Sequence, residues 1–313
     1  MGQASGSRPE RSEAMATPST ASASSAAMDK ECMTAIPSMI ALHAHISENT
    51  PRDLRGVETL TRLAEETLGV APWVIRGRQG PFGDAAWNDD LAASREVLTA
   101  AGTALAAALA RSPLPPLSVA TDCALALATL PVVARLHPTA RVLWLDAHCD
   151  YDTPETTTIG FLGCMSLAGA CGEWASGFAP PSPARQVVLC GARPPTGAFD
   201  SVAQRLVEAS AVRLVGISDT TTDEVLAALG DAPVYLHLDP DVLDPSVNPV
   251  PYARPGGLSA EALWALLVAV AARHAIVGVE ITAFHSPDDQ KERDALGGFL
   301  IDAVAPLLTA ASR

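Results

Sequence analysis

The stretch Arg141-Val-Leu-Trp-Leu-Asp146-Ala-His148-Cys-Asp150 constrains this chain more than any other, because an apolar run stops abruptly at two carboxylates and an imidazole. Buried parallel strands are near-continuous hydrophobic runs, and open α/β sheets bind their ligands just beyond the carboxyl ends of such strands. The segment therefore reads as a buried strand that delivers metal ligands. A second stretch, Val234-Tyr-Leu-His237-Leu-Asp239-Pro-Asp241-Val-Leu-Asp244-Pro245, repeats the arrangement, with Asp239 and Asp241 on one side. Carboxylates with a single imidazole suit manganese better than zinc, which prefers Cys and His, or magnesium, which takes fewer protein ligands. The plainer alternative is that these are strand-end Asp residues capping helices. Two such stretches, one with a histidine in register, favour the metal.

The rest of the chain supplies the scaffold for these two stretches. Strand patterns at Met39-Ile-Ala-Leu, Trp73-Val-Ile, Leu117-Ser-Val-Ala, 186–190, 212–215, 234–238 and 275–280 alternate with helical spacing, clearest at 52–68, 91–110, 123–136 and 293–308. Repeated βα alternation predicts an α/β fold, with a mostly parallel sheet covered by helices on both faces. With 313 residues, 48% of them hydrophobic, the chain can bury one large core, so residues 38–313 are expected to form a single catalytic domain. Residues 1–37, rich in Ser, Ala and Thr, lack a secretory h-region and are expected to be a disordered extension or tag. The net charge of -14 argues against nucleic-acid and anionic-membrane partners and favours a cationic or metal-held small substrate. Six cysteines without a Cys-x-x-Cys pair suggest reduced thiols and a cytoplasmic setting. No apolar run suits a bilayer.

Taken together, Asp146-Ala-His148-Cys-Asp150, Thr153-Pro154 with Thr156-Thr-Thr158, the 239–245 run, Gly256-Gly-Leu258 and Val279-Glu280 resemble the arginase and agmatinase family of metal-dependent amidinohydrolases, in order and spacing over residues 39–308. The resemblance implies a three-layer α/β/α fold around two manganese ions. It also implies that Asp146 and Asp239 bridge both ions, that His148 and Asp241 complete one, and that Asp150 binds the other and handles a proton. Glu280 would hold the guanidino group. Two divalent ions suit such chemistry, since they activate water against a poor, resonance-stabilised electrophile.

The departures from the family pattern carry as much information. Ala120-Thr121-Asp122-Cys123 puts a cysteine where the family has a metal-binding histidine, so one ion should be held more loosely, unless Cys123 is simply an inert core residue. Gly163 stands where arginases carry a proton-handling histidine. Asp152 and Ile159 replace an asparagine and a serine that contact the substrate's amino-acid end, so Asp152 and Thr158 are candidate substrate residues in a remodelled shell. His237 replaces a serine and is expected to orient a metal ligand, if it is not ordinary core. His43 and His45 follow the first strand at the active edge, where a substrate contact is conceivable. His137 and His274, at helix ends, are assigned no role. Arg193-Pro-Pro-Thr196 lies where the family places a carboxylate for the substrate's amino group, and has none. These losses point to an easier substrate, an N-hydroxyguanidine. The alternatives are a urea-releasing arginase or agmatinase, or a catalytically silent subunit; the pattern leaves room for a homo-oligomer.

Overall fold

A computed structural model describes residues 38–48, 50–83, 85–194 and 201–309; the extension expected at 1–37 lies outside the described residues, as do Pro195 and Thr196. Eight strands form one all-parallel sheet: β1 (Met39–His43), β2 (Pro72–Arg76), β3 (Leu117–Ala120), β4 (Arg141–Leu145), β5 (Val187–Cys190), β6 (Arg213–Val215), β7 (Val234–Leu238) and β8 (Ile276–Ile281). Among the described residues seven helices connect them, α1 (Arg52–Leu68), α2 (Trp87–Arg111), α3 (Ala126–Leu136), α4 (Ser166–Cys171), α5 (Ser201–Ala209), α6 (Thr221–Leu229) and α7 (Ala260–Arg273), and α8 (Gln290–Thr309) follows β8. The alternation seen in the sequence is therefore the architecture, a three-layer α/β/α fold. The helix expected from 123 starts at Ala126, after a 3-10 turn at Cys123–Leu125, and two further helix starts moved where a first turn is polar. α2 starts at Trp87 rather than 91 and α8 at Gln290 rather than 293. Acidic residues in those first turns, Asp89, Asp90 and Glu292, favour the helix dipole yet add nothing to an apolar period.

Side-chain alternation along each strand splits the interior into two layers. Val142 and Trp144 of β4 pack on one side with Leu98 and Leu105 of α2 and Leu127 of α3, whereas Leu143 and Leu145 pack on the other with α7 and α8 residues such as Leu267 and Val304. Burying both faces is what makes the strand runs continuously apolar. Among the described residues, no helix is long and apolar enough to cross a membrane.

The strand order β2-β1-β3-β8-β7-β4-β5-β6 decides where a ligand can bind. β3 and β4 are consecutive in sequence but are separated in space by β8 and β7. The sheet's direction of growth reverses there, and the carboxyl ends of these four strands open a crevice.

Candidate active site

Each of the four central strands stops where its apolar run stops, and a polar residue takes over the turn. After β3, Asp122 opens a short 3-10 turn at Cys123–Leu125 by accepting from Ala124 N–H at 2.7 Å. After β4, Asp146 accepts from His148 N–H at 2.6 Å through Oδ1 and from Trp144 Nε1–H at 2.9 Å through Oδ2. After β7, Asp239 caps the turn Pro240–Val242 by accepting from Asp241 N–H at 2.9 Å. The capping reading is thus correct as far as it goes. Asp239 caps with Oδ1 and still turns Oδ2 to Cys123 Sγ at 3.2 Å. β8 contributes Thr282, whose Oγ1 also lies 3.2 Å from Cys123 Sγ.

Of these residues, Asp122, Cys123, Asp239 and Asp241 line a cavity of about 510 Å³, a size suited to a small molecule, whereas Asp146 and Thr282 do not line it. Cys123, His148, Asp150, Asp239 and Asp241 line it, with Ile159, Phe161, Gly163 and Cys164 on one wall and Ser47, Glu48, Asp53 and Asp122 on another. Two groups of donor atoms lie within 4.8 Å of one another and are able to hold a metal: Asp146 with His148 and Asp241, and Cys123 with Asp146 and His237. Asp150 sits at φ 47, a left-handed conformation uncommon outside glycine, and its Oδ2 accepts from Ser166 Oγ at 3.1 Å.

Electrostatics explain why this array favours cations. Burial and then the neighbouring Asp241 and Asp146 charges push the Asp239 carboxyl well above the usual range, and burial with Asp146 does the same to Asp150. Burial would lower His148, but the Asp241 and Asp146 carboxylates override it and hold its imidazolium. Burial likewise works against Asp241 ionising, yet the adjacent charge of His148 keeps that carboxyl low. Burial and the surrounding carboxylates drive the Cys123 thiol far up, so it is neutral unless positive charge arrives. Divalent cations fit this donor set. Four mutually repelling carboxylates crowd into one buried crevice, and Asp241 Oδ2 makes no hydrogen bond of good geometry although His148 Nδ1 stands 2.8 Å away.

Several expected contacts are placed elsewhere. Glu280 does not line the cavity: it is fully buried, accepting from Thr129 Oγ1 at 2.8 Å and Tyr235 Oη at 2.7 Å, with His237 Nδ1 at 2.7 Å. The reason is alternation, because Glu280 is the register partner of His237 inside the sheet, behind the strand ends. Asp152 and Thr158 also lie off the cavity. The turn at 153–156 draws the Asp152 carboxylate back to Thr156 Oγ1 at 3.3 Å and leaves Thr158 facing solvent, so Ile159 and Phe161 supply that wall. His43 and His45 are turned towards Glu58 at 3.0 Å and Glu48 at 3.1 Å rather than into the cavity. Arg193 is buried, its guanidinium donating to the carbonyls of Asp241 and Val242 at 2.8 and 3.0 Å, which braces the Asp239–Asp241 loop.

Other residues were not legible as site residues. Glu48 and Asp53 precede or open a helix, and Tyr252 and His285 belong to loops distant in sequence, so no local spacing marks them. Trp144 and Thr282 had one usable signal, the two-residue step from a neighbouring candidate on the same strand face. At Gly163 a Cβ would meet Phe161 Cε1 at 2.6 Å and Asp122 Oδ2 at 3.1 Å, so the position has closed around glycine.

Comparison with known proteins agrees with this geometry. A family model described as the arginase family matches residues 48–301. The chain is 35% identical over 274 residues to the Nω-hydroxy-L-arginine amidinohydrolase of Streptomyces lavendulae, covering 88% of this chain and 98% of that protein. It is 29% identical over 149 residues to the arginase of Bacillus caldovelox, covering 43% of this chain and 48% of that protein. The crystal structure of arginase from Bacillus cereus superposes with a TM-score of 0.72 at 22% identity, covering 85% of this chain and 96% of that one.

Proposed function

The chain belongs to the arginase family of hydrolases, and on that premise we propose that it cleaves Nω-hydroxy-L-arginine to hydroxyurea and L-ornithine, in the route to the antibiotic D-cycloserine. The observation that carries the choice of substrate is the closed space at Gly163. Residue 163 itself brings no side chain to hand a proton to or from the guanidino group, so a substrate that is already less basic is favoured. The name of the Streptomyces lavendulae relative, matched over nearly its full length, supports the same choice.

Two manganese ions would be held by Asp146 and Asp239 together with His148 and Asp241 for one, and with Cys123 and Asp150 for the other, which the sulfur would bind more loosely. When bound, such a pair lowers the pKa of water and supplies a nucleophile near neutral pH. The chain's own residues do the rest. Asp150, oriented by Ser166, accepts the water's proton on a carboxylate oxygen and returns it to the departing ornithine amine. Glu48 and Asp53 line the cavity with negative charge suited to the substrate's cationic α-amino end, which the Arg193 loop does not supply. Ile159 and Phe161 wall off water from the reacting carbon.

Steady-state assays on one manganese-loaded preparation test this reading. The kcat/KM for Nω-hydroxy-L-arginine should exceed that for L-arginine by at least about a hundredfold, roughly 2.7 kcal/mol of transition-state stabilisation. Comparable values, or faster turnover of arginine or agmatine, return the chain to the urea-releasing enzymes. Turnover of none of them leaves the silent-subunit alternative.

A further inference from the structure

The cysteine at position 123 leaves one half of the centre without a nitrogen donor from its own loop. A nitrogen nevertheless lies close by. His237, on the adjacent strand system, brings a ring nitrogen within 4.8 Å of both Cys123 Sγ and an Asp146 carboxylate oxygen. The ring is fully buried and clamped from every side. Trp144, its register partner on β4, stacks on it with centroids 3.4 Å apart and planes 9° apart. Glu280, its register partner on β8, stands 2.7 Å from Nδ1.

The protonation pattern of this cluster is set by its donors. Thr129 and Tyr235 both direct hydroxyl hydrogens at Glu280 Oε2, at 2.8 and 2.7 Å, leaving Oε1 to accept from His237 Nδ1–H. The lone pair of Nε2 then faces the other way, towards Thr282 Oγ1 at 3.2 Å, and that same hydroxyl touches Cys123 Sγ at 3.2 Å. A histidine that gives one N–H to a carboxylate and points its other nitrogen at soft and hard donors is in the arrangement metal-binding imidazoles adopt, because the carboxylate fixes the tautomer and raises ligand basicity. A core histidine needs none of this. Its Nε2 would be satisfied by Thr282 alone, whereas here a buried thiol and a buried carboxylate also stand within 4.8 Å of the ring.

We infer that His237 is a metal ligand of this centre, supplying from β7 the nitrogen that position 123 has lost, with Glu280 as its positioning residue. The inference rests on the metal-dependent reading given above. It also accounts for Glu280, which is withdrawn from the cavity and engaged on the far side of the ring. The donor set of that half becomes sulfur, nitrogen and carboxylate oxygen. This is a borderline set, and the nitrogen offsets part of the mismatch between a thiolate and manganese.

Metal titration of the full chain by calorimetry, alongside 113Cd NMR of protein carrying 15N-labelled histidine, tests it. Wild-type protein should bind two equivalents of manganese. In His237→Gln the weaker equivalent should lose at least about tenfold in affinity, the lower bound for removing even an outer partner of a ligand, while the tighter one stays within about twofold. Glu280→Gln should weaken the same equivalent by less, since the ring keeps its place but loses its charged partner. With cadmium at two equivalents, the wild-type His237 ring should show a 113Cd–15N splitting in addition to that of His148. Unchanged affinity of both equivalents in His237→Gln overturns the inference. Should that variant not fold, absence of the His237 splitting in the wild-type protein overturns it. If wild-type protein binds no divalent metal, the metal-dependent reading itself fails, which is a separate and recognisable outcome.

Discussion

The two halves of the crevice share β4 and β7, with β3 contributing to one alone, and are made differently. The His148 half takes its donors from turns beyond β4 and β7: Asp146, His148 and Asp241 all follow the last strand residue, and the His148 side chain keeps 18% of its surface exposed. The Cys123 half draws one donor from within the sheet. Cys123 is 4% exposed, and His237 lies inside β7 with none of its surface exposed. The first half is prepared by charge, with an imidazolium already seated between carboxylates. The second is prepared by packing, with a neutral thiol and a stacked ring held in place. A loop-borne donor can relax around its ion, whereas a strand-borne one such as His237 must have its geometry before the ion arrives.

The most severe way to break this comparison is to remove what the halves share. Asp239→Ala should abolish binding to both and reduce kcat/KM on the order of a thousandfold or more, about 4 kcal/mol, as read by metal analysis and steady-state kinetics together. Loss confined to one equivalent would show that Asp239 is not a bridge. Graded chelation sharpens the contrast. One equivalent should leave first, and Cys123→His should slow that loss about tenfold, roughly 1.4 kcal/mol in affinity. Equal retention of both ions through the series would show that the halves are equivalent.

A smaller effect appears in the metal-free protein. Burial, opposed by the hydrogen bond from Ser47, raises the Asp122 carboxyl from 3.8 to about 7. A group whose pKa is higher in the folded state favours folding in its protonated form. Its contribution is therefore full below pH 3.8 and is lost as the pH rises through about 7. Asp122→Asn should flatten the fall in apoprotein stability across that window, seen as a smaller shift in denaturation midpoint with pH. Added manganese should flatten it in the parent chain, because nearby positive charge favours the carboxylate. An unaltered slope in Asp122→Asn would assign the dependence to other buried carboxylates.

The alternation of apolar runs with helical spacing was enough to determine the parallel α/β scaffold, because a strand covered on both faces is apolar at most consecutive positions. The ligand-bearing turns after β4 and β7 were legible for a related reason: an Asp directly after such a run has nowhere to sit but the crevice at the strand end. Glu280, Asp152 and Thr158 were misplaced because the same residue spacing permits opposite directions. Whether a carboxylate enters the cavity depends on which neighbouring strand supplies hydroxyls to hold it back, and Thr129 and Tyr235 do so for Glu280. The strand order was equally beyond local reading. Inserting β8 and β7 between β3 and β4 is a long-range outcome of burying two faces at once, and it alone brings Cys123 beside Asp239 and sets His237 between Trp144 and Glu280. The chain by itself specified which residues end each strand; only tertiary packing decided which strands are neighbours, and hence which donors share an ion.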